Sequence, residues 1–357
     1  MSSTNNRIYW ATQGVSIAPE GSVAFDEQNG NSLDKSVVHG LQTMGITTTF
    51  NLEQVFEMGQ LEIYENIEAI PDVEVTMEKV IDGYPLIYHL ATQDATTGTL
   101  GGRSTARCNV LMGIYGDTLD SASGTPQTAV LMSGMYISSV SYAMPVDGNC
   151  TESVTLVGNN KEWRTEDADI QAWINSDMFQ NDDTPEDTYG VNRRENVVFN
   201  SVPYAGSSST ATLLPADLEG ITSSGTNDKI GDAFEAHVQS ITVSTDLGRD
   251  LLNELGRRGP YFRFVNFPTE VTTEIEITSG EGDQVPISEV AVSNVDPQTI
   301  VIVLADSTVI DLGTNNKLAS VNYGGGDATG GNATSTYTYN TFNHLTVAHD
   351  QDPTFVA

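Results

Sequence analysis

The chain has 357 residues, 38% of them hydrophobic, and sets 15 Lys+Arg against 48 Asp+Glu for a net charge of −33. That balance excludes tight binding of nucleic acid, which needs cations on phosphates, and suits a surface that must repel a polyanion. The length fits one large β-rich domain or two smaller ones, two cysteines (Cys108 and Cys150) exclude a disulfide framework, and no apolar run reaches the roughly 18 residues of a membrane span.

The first fourteen residues, MSSTNNRIYWATQG, have no apolar h-region, so no secretory signal is expected. Residues 1–50 are polar and aperiodic and read as an arm with extended strands. Residues 50–70, FNLEQVFEMGQLEIYENIEAI, mix helical and turn patterns and end at Pro71. In DVEVTMEKV, Asp72, Glu74, Thr76 and Glu78 alternate with Val73, Val75 and Met77. This period of two predicts a strand with one wet and one buried face. Residues 129–159 read as a long strand, a turn at Val146-Asp147-Gly148-Asn149 and a second strand. The first of these is apolar on both faces in places, which predicts a central position.

Residues 159–232 are acidic and irregular, with a short helix expected around Ile170–Ile174, and form a long loop insertion. Regular pattern resumes at 235–245, with Ile241 and Val243 facing inward. DLGRDLLNELG (246–256) places Leu247, Leu251, Leu252 and Leu255 at helical spacing. Asp246 suits its N-cap, and Arg257 and Arg258 its C-terminal dipole, which predicts the one clear helix. Residues 269–277 alternate again: Glu270, Thr272, Glu274 and Glu276 share one face, and Val271, Thr273, Ile275 and Ile277 the other. Strands are expected around VPISEVAV, TIVIVLAD, TVIDLG and LASVNY between 285 and 323, then a glycine-rich loop, then a last strand with alternating aromatics. The expected organisation is thus an N-terminal arm (1–50), a β-domain built from 51–158 and 233–284, the insertion 159–232, and a C-terminal β-rich segment (285–357) that completes or decorates it.

No catalytic constellation is found: no HExxH, no Gly-x-Ser-x-Gly elbow and no phosphate loop. A metal site on His344 and His349 is disfavoured, because their spacing suits neither a helix face nor a strand face. NDDTPEDT (181–188) lacks the spacing of a calcium loop. Neither enzyme activity nor a cofactor is expected. What remains is charge placement. Two strands each carry three acids on one face, and four of the few cations (Arg249, Arg257, Arg258 and Arg263) fall within 249–263.

QSITVSTDLGRDLLNELGRRGPYFRFVNFPTEVTTEIEI, with SYAMPVDGNCTESVTLVGNNKEW and GVNRRENVVF, resembles the tail tube proteins of tailed bacteriophages. The resemblance is made of scattered segments within 129–278 and includes no catalytic signature. It implies a mainly β fold, a tube-type β-sandwich or barrel with one short helix and long loops, whose strands join between subunits into a ring-shaped barrel. It implies a virion structural protein of the tail, assembled in the host cytoplasm. Homohexameric rings would stack into a tube around a tape-measure protein, join a baseplate or tip and a terminator, and in contractile tails sit inside a sheath. The lumen of such tubes is commonly negative, so viral DNA transits without specific binding during ejection.

On this reading Arg249, Arg257, Arg258 and Arg263, with Arg193 and Arg194 as a second group, contact acidic loops of neighbouring subunits. The alternative is that half of them act within the subunit. Glu270, Glu274 and Glu276, with Asp72, Glu74 and Glu78, line the lumen. Alternation does not say which side is inside, so the same faces fit solvent or a sheath. A capsid decoration or fibre-like β-protein shares the composition. A carbohydrate-binding β-sandwich fits less well, because Trp10, Trp163 and Trp173 are scattered.

Overall fold

The structure is a computed structural model. It describes residues 12–20, 37–116, 126–166, 190–199, 212–215, 237–280, 296–326 and 331–350, together with the single positions 8, 119, 169, 170, 173, 218, 282, 285, 287 and 352. In chain order the elements are β1 (Gln13–Pro19), β2 (Leu41–Thr49), β3 (Leu52–Phe56), β4 (Ile63–Glu68), β5 (Asp72–Val80), the short helices α1 (Ile87–Ala91) and α2 (Leu100–Arg103), β6 (Cys108–Ile114), β7 (Thr128–Pro145), β8 (Thr151–Gly158) and β9 (Asn160–Arg164). There follow β10 (His237–Asp246), β11 (Arg249–Leu252), β12 (Phe262–Val265), β13 (Glu270–Thr278), β14 (Val301–Val303), β15 (Val309–Asp311), β16 (Lys317–Gly324), β17 (Thr334–Phe342) and β18 (Thr346–Ala348). The protein is mainly β, in keeping with a β-sandwich, and its sheets are not closed into a barrel.

β7 is the spine. Its first part pairs with β6, which in turn pairs with β1, and on its other side with β9. Its second part pairs with β8 and β10 and belongs to a sheet ordered β16-β17-β13-β10-β7-β8-β5-β2. Gly134 (φ 65°) lies where the strand passes from one set of partners to the other. Only glycine takes that backbone conformation without strain. The expectation of a central strand is met here, with its first part buried on both faces in places and its second part on one, and the turn at 146–149 connects β7 to β8 as the Asp-Gly pair predicts.

Alternation sets the core. Val73, Val75 and Met77 of β5, Val154 and Leu156 of β8, Ile241 and Val243 of β10, Val271, Ile275 and Ile277 of β13 and Tyr337 and Tyr339 of β17 are all buried in one cluster. β6 is buried at every position, as its apolar run CNVLMGI, broken only by Asn109, requires. The small sheet β14-β15-β18 adds Ile302, Ile310 and Val347 to the same cluster.

Three expectations are corrected. No helix forms at 246–256. Asp246 accepts a hydrogen bond from the Gly248 N–H at 2.9 Å, closing a turn at a glycine with φ 46°. The chain then pairs as the antiparallel hairpin β11–β12, with Leu252 opposite Phe262. Leu251, Leu252 and Leu255 are exposed and only Leu247 is buried, so the helical spacing had no core to face. Residues 52–68 form a second antiparallel hairpin, β3–β4, rather than a mixed helical stretch. The last predicted strand is two strands, β17 and β18, separated at Asn343, whose φ is 59°. The strand expected around VPISEVAV and most of 159–232, including most of the helix expected at 170–174, lie outside the described residues.

Candidate assembly surface

The acids singled out on β5 and β13 belong to one face of one sheet. Register partners in a sheet point their side chains to the same side. Glu78 of β5 lies opposite Thr43 of β2 and Ser153 of β8. Ser153 faces Ser141 of β7, and Ser141 faces Ser244 of β10. Ser244 faces Thr272 of β13, Thr272 faces Asn340 of β17, and Asn340 faces Lys317 of β16. A single row of polar side chains thus crosses every strand from one edge to the other. Glu74, Glu274 and Glu276 lie in parallel rows on the same side. Between the acids of β5 and those of β13 stand Ser139, Ser141, Ser153, Thr155, Ser240, Thr242 and Ser244, without a lysine or arginine among them.

Glu74, Glu270 and Glu274 are exposed; Glu78, Glu276 and Asp72 are half-buried. Glu276 accepts from the Ser240 hydroxyl at 3.4 Å and Glu270 accepts from the Asn340 amide, both neutral donors. Asp72 differs. It forms an ion pair with Arg263 at 2.6 Å and also accepts from the side-chain amides of Asn51 (3.0 Å) and Asn159 (3.2 Å). It thereby ties the roots of both hairpins together.

The arginines divide into two kinds. Arg249 donates to the carbonyls of Ile137 (2.5 Å), Ser104 (2.7 Å) and Arg263 (3.3 Å), and its guanidinium lies 4.8 Å from the centre of the Tyr136 ring. Burial brings its pKa down to about 10. Arg263 is buried on Asp72, the Asn159 side chain and the Gly158 carbonyl. Both hold the β11–β12 hairpin to its own subunit. Arg257 and Arg258 are exposed at its tip, where no ion pair is found among the described residues; Arg257 lies 6.0 Å from the Tyr261 ring centre. Arg193 donates to the Asn149 side chain at 3.1 Å beside a 3-10 turn, Arg194–Asn196, and Arg194 is exposed.

A buried ionic network lies under the opposite face. Lys79 and Glu152 are register partners on β5 and β8, and both are fully buried. Lys79 forms an ion pair with Asp82 at 3.2 Å and donates to the Pro85 carbonyl at 3.0 Å. Glu152 accepts from the backbone N–H groups of Ile87 (2.6 Å) and Tyr88 (3.1 Å) and from the Tyr142 hydroxyl (3.2 Å), so it fixes the start of α1. Burial pushes its pKa up, and the Lys79 ammonium opposes that.

Arg103 forms an ion pair with Asp352, and His89 sits beside them. The His89 ring nitrogen Nε2 is 3.1 Å from the Val347 carbonyl, so Nε2 carries the hydrogen and donates. Burial holds His89 down to about 3 although Asp352 is 3.7 Å away. Arg103 already neutralises that carboxylate, so the imidazole is neutral. His349 is buried 3.9 Å from Asp306, and its pKa too is lowered by burial. His344 stands apart, beside Gly313. Among the described residues no three His, Cys, Asp or Glu side chains converge on a metal-sized site. Both cysteines are buried thiols, pushed up to about 12. No described helix is long and apolar enough to cross a membrane.

No protein-family profile and no curated protein sequence matches the chain. Among solved structures, a chain of the anti-feeding prophage baseplate, 6-fold symmetrised, is 12% identical, with a TM-score of 0.31 over 46% of this chain and 97% of that one. A chain of the anti-feeding prophage tube-terminating cap is 11% identical, with a TM-score of 0.30 over 46% of this chain and 100% of that one. An Hcp protein is 9% identical, with a TM-score of 0.22 over 43% and 98%. These likenesses are loose, and the functional reading rests on the surface itself.

Proposed function

We propose that the chain is a structural subunit of a phage tail, a tail tube protein whose copies form hexameric rings stacked into a tube, with the hydroxyl- and carboxylate-bearing face of the main sheet lining the passage for viral DNA. One observation carries this reading: the acids of β5 and β13 share a face whose intervening strands offer Ser and Thr side chains, with Asp246 and His237 at the two ends of β10 and no lysine or arginine. Between these acids phosphates find no guanidinium or ammonium to exchange for counterions, and the exposed Lys317 stands apart at the β16 edge, so a duplex passes without adhering. Uncharged hydroxyls between the carboxylates spread the like charges and limit their repulsion.

The edges of the sheet support the same reading. The strand order β16-β17-β13-β10-β7-β8-β5-β2 contains antiparallel pairs throughout, and among the described residues both end strands present an unpaired edge. The path has an even number of strands, so β2 runs opposite to β16. Joining β2 of one copy to β16 of the next continues the antiparallel alternation around a ring. Bare edges of this kind invite pairing with another chain, and a heterologous contact closes when its rotation closes. The hexamer number comes from the sequence resemblance.

The test is electron microscopy of the purified protein across concentration: rings or tubes are expected, and a lone monomer at every concentration would sink the reading. In particles carrying Glu270→Lys, Glu274→Lys and Glu276→Lys together, genome release should slow or jam. Release at the normal rate would move this face from the lumen to the outside.

A further inference from the structure

Two hairpins stand out from the body, and each leaves apolar side chains in water. On β3–β4, Leu52, Phe56, Ile63 and Tyr64 are exposed, and Met58 and Leu61 at the tip are fully so. An isolated two-stranded hairpin is marginally stable in water, and a contiguous apolar patch on a soluble protein marks a contact surface. Residues 51–68 also carry Glu53, Glu57, Glu62, Glu65 and Glu68 and no lysine or arginine. The partner must therefore offer apolar side chains together with cations.

That description fits the tip of the other hairpin. The β11–β12 tip exposes Leu252, Leu255 and Tyr261, with Leu255 fully in solvent. It also carries Arg257 and Arg258, exposed and without an ion pair among the described residues. Cations are scarce in a chain with 15 Lys+Arg, and most of the described ones are committed: Lys79 to Asp82, Arg103 to Asp352, Arg107 to Glu20, Arg164 to Glu162, Arg263 to Asp72, Arg249 to backbone carbonyls, Lys161 to the Thr48 hydroxyl and Arg193 to the Asn149 side chain. Within one chain the two hairpins are anchored at their roots through Asp72, yet their tips leave each other uncovered.

We infer that the β3–β4 hairpin of one copy seats on the β11–β12 tip of a second copy, apolar side chains in contact, with the hairpin glutamates around Arg257 and Arg258. The inference rests on the reading that copies of this chain assemble. The contact joins two different patches, so it is heterologous and repeats from copy to copy. Arginine suits the role because its planar fork pairs carboxylates bidentately.

The experiment uses the full chain. Two variants, M58C and L255C, are mixed and oxidised; the native cysteines are buried, so their background is low. The expected result is a disulfide-linked dimer containing one copy of each variant, about tenfold above the dimer from either variant alone. A dominant M58C homodimer overturns the inference in favour of symmetric hairpin pairing. Absence of any cross-link while the wild type forms rings overturns it and leaves the proposed function standing. A wild type that never assembles removes both.

A second arm reads the charges. R257E with R258E should raise the concentration needed for assembly about tenfold or more. Adding E53K, E57K, E62K and E65K to the same chain should restore it. Unchanged assembly in R257E/R258E, or no restoration in the combined variant, overturns the inference.

Discussion

On β5, Glu74 and Glu78 carry their charge on the outer face with no ion pair among the described residues, while one position further Lys79 is fully buried and held by Asp82 and the Pro85 carbonyl. The same division runs across the sheet. The outer face has carboxylates among neutral hydroxyls; the inner side has charges whose every role is to hold a neighbouring segment. Glu152 fixes α1, and Arg103 fixes the chain at Asp352. Inner charges were removed from water and must be matched, so deleting one partner strands the other. Outer charges are hydrated, so deleting one relieves repulsion and costs little.

The comparison breaks first at Glu152. Glu152→Ala leaves two buried N–H groups and the Tyr142 hydroxyl without their acceptor, removes the negative charge facing buried Lys79, and should cost about 3–5 kcal/mol, read as a lower urea midpoint. Near-native stability would mean the inner charges are not structural. Acid is the next probe. The folded state keeps the His89 proton off down to about 3 against an ordinary 6.5, so between these values the unfolded chain binds more protons. Stability is therefore complete above pH 6.5 and falls as pH drops, by about 1.4 kcal/mol per pH unit for one such group. His349, lowered in the same direction, adds to the slope. Thermal melts against pH should show it, and His89→Gln should flatten it.

A smaller effect is expected at the hairpin roots. Arg263→Leu removes the donor to Asp72, Asn159 and Gly158. Asp72 is part-exposed and can rehydrate, so the loss should be about 1–3 kcal/mol, with faster amide exchange in β11–β12. The smallest belongs to the outer face: Glu74→Gln or Glu274→Gln should change stability by no more than about 0.5 kcal/mol, with a slight gain at low salt. A loss of several kcal/mol from either would mean that face is not free.

Strands with one wet and one dry face were legible because alternation records burial. β5, β8, β10 and β13 lie where the period of two places them, and the Asp147-Gly148 turn joins β7 to β8. The hairpins were not legible for the opposite reason. With nearly every residue of β3–β4 exposed, neither face is dry and no period is written. At 247–255 the leucine spacing mimicked a helix, because a local pattern carries no information about pairing with 262–265. The helices α1 and α2, of five and four residues, are too short to show a period.

Lys79 and Glu152 were within reach. Each falls on the apolar parity of its strand, and parity outweighed charge. That the acids of each strand share a face could be read from the sequence. That the two strands' acids share one common face could not, because it depends on the registers of β8, β7 and β10 lying between them.

β7 runs as one uninterrupted strand through both sets of strands. A tension applied to the β1–β6 side reaches the eight-strand side along covalent bonds, not across side-chain contacts that could slip. In the tube proposed above, that backbone would be the girder when the tube is bent or pushed. Its one residue in the left-handed region is Gly134, where it turns from one set of partners to the other.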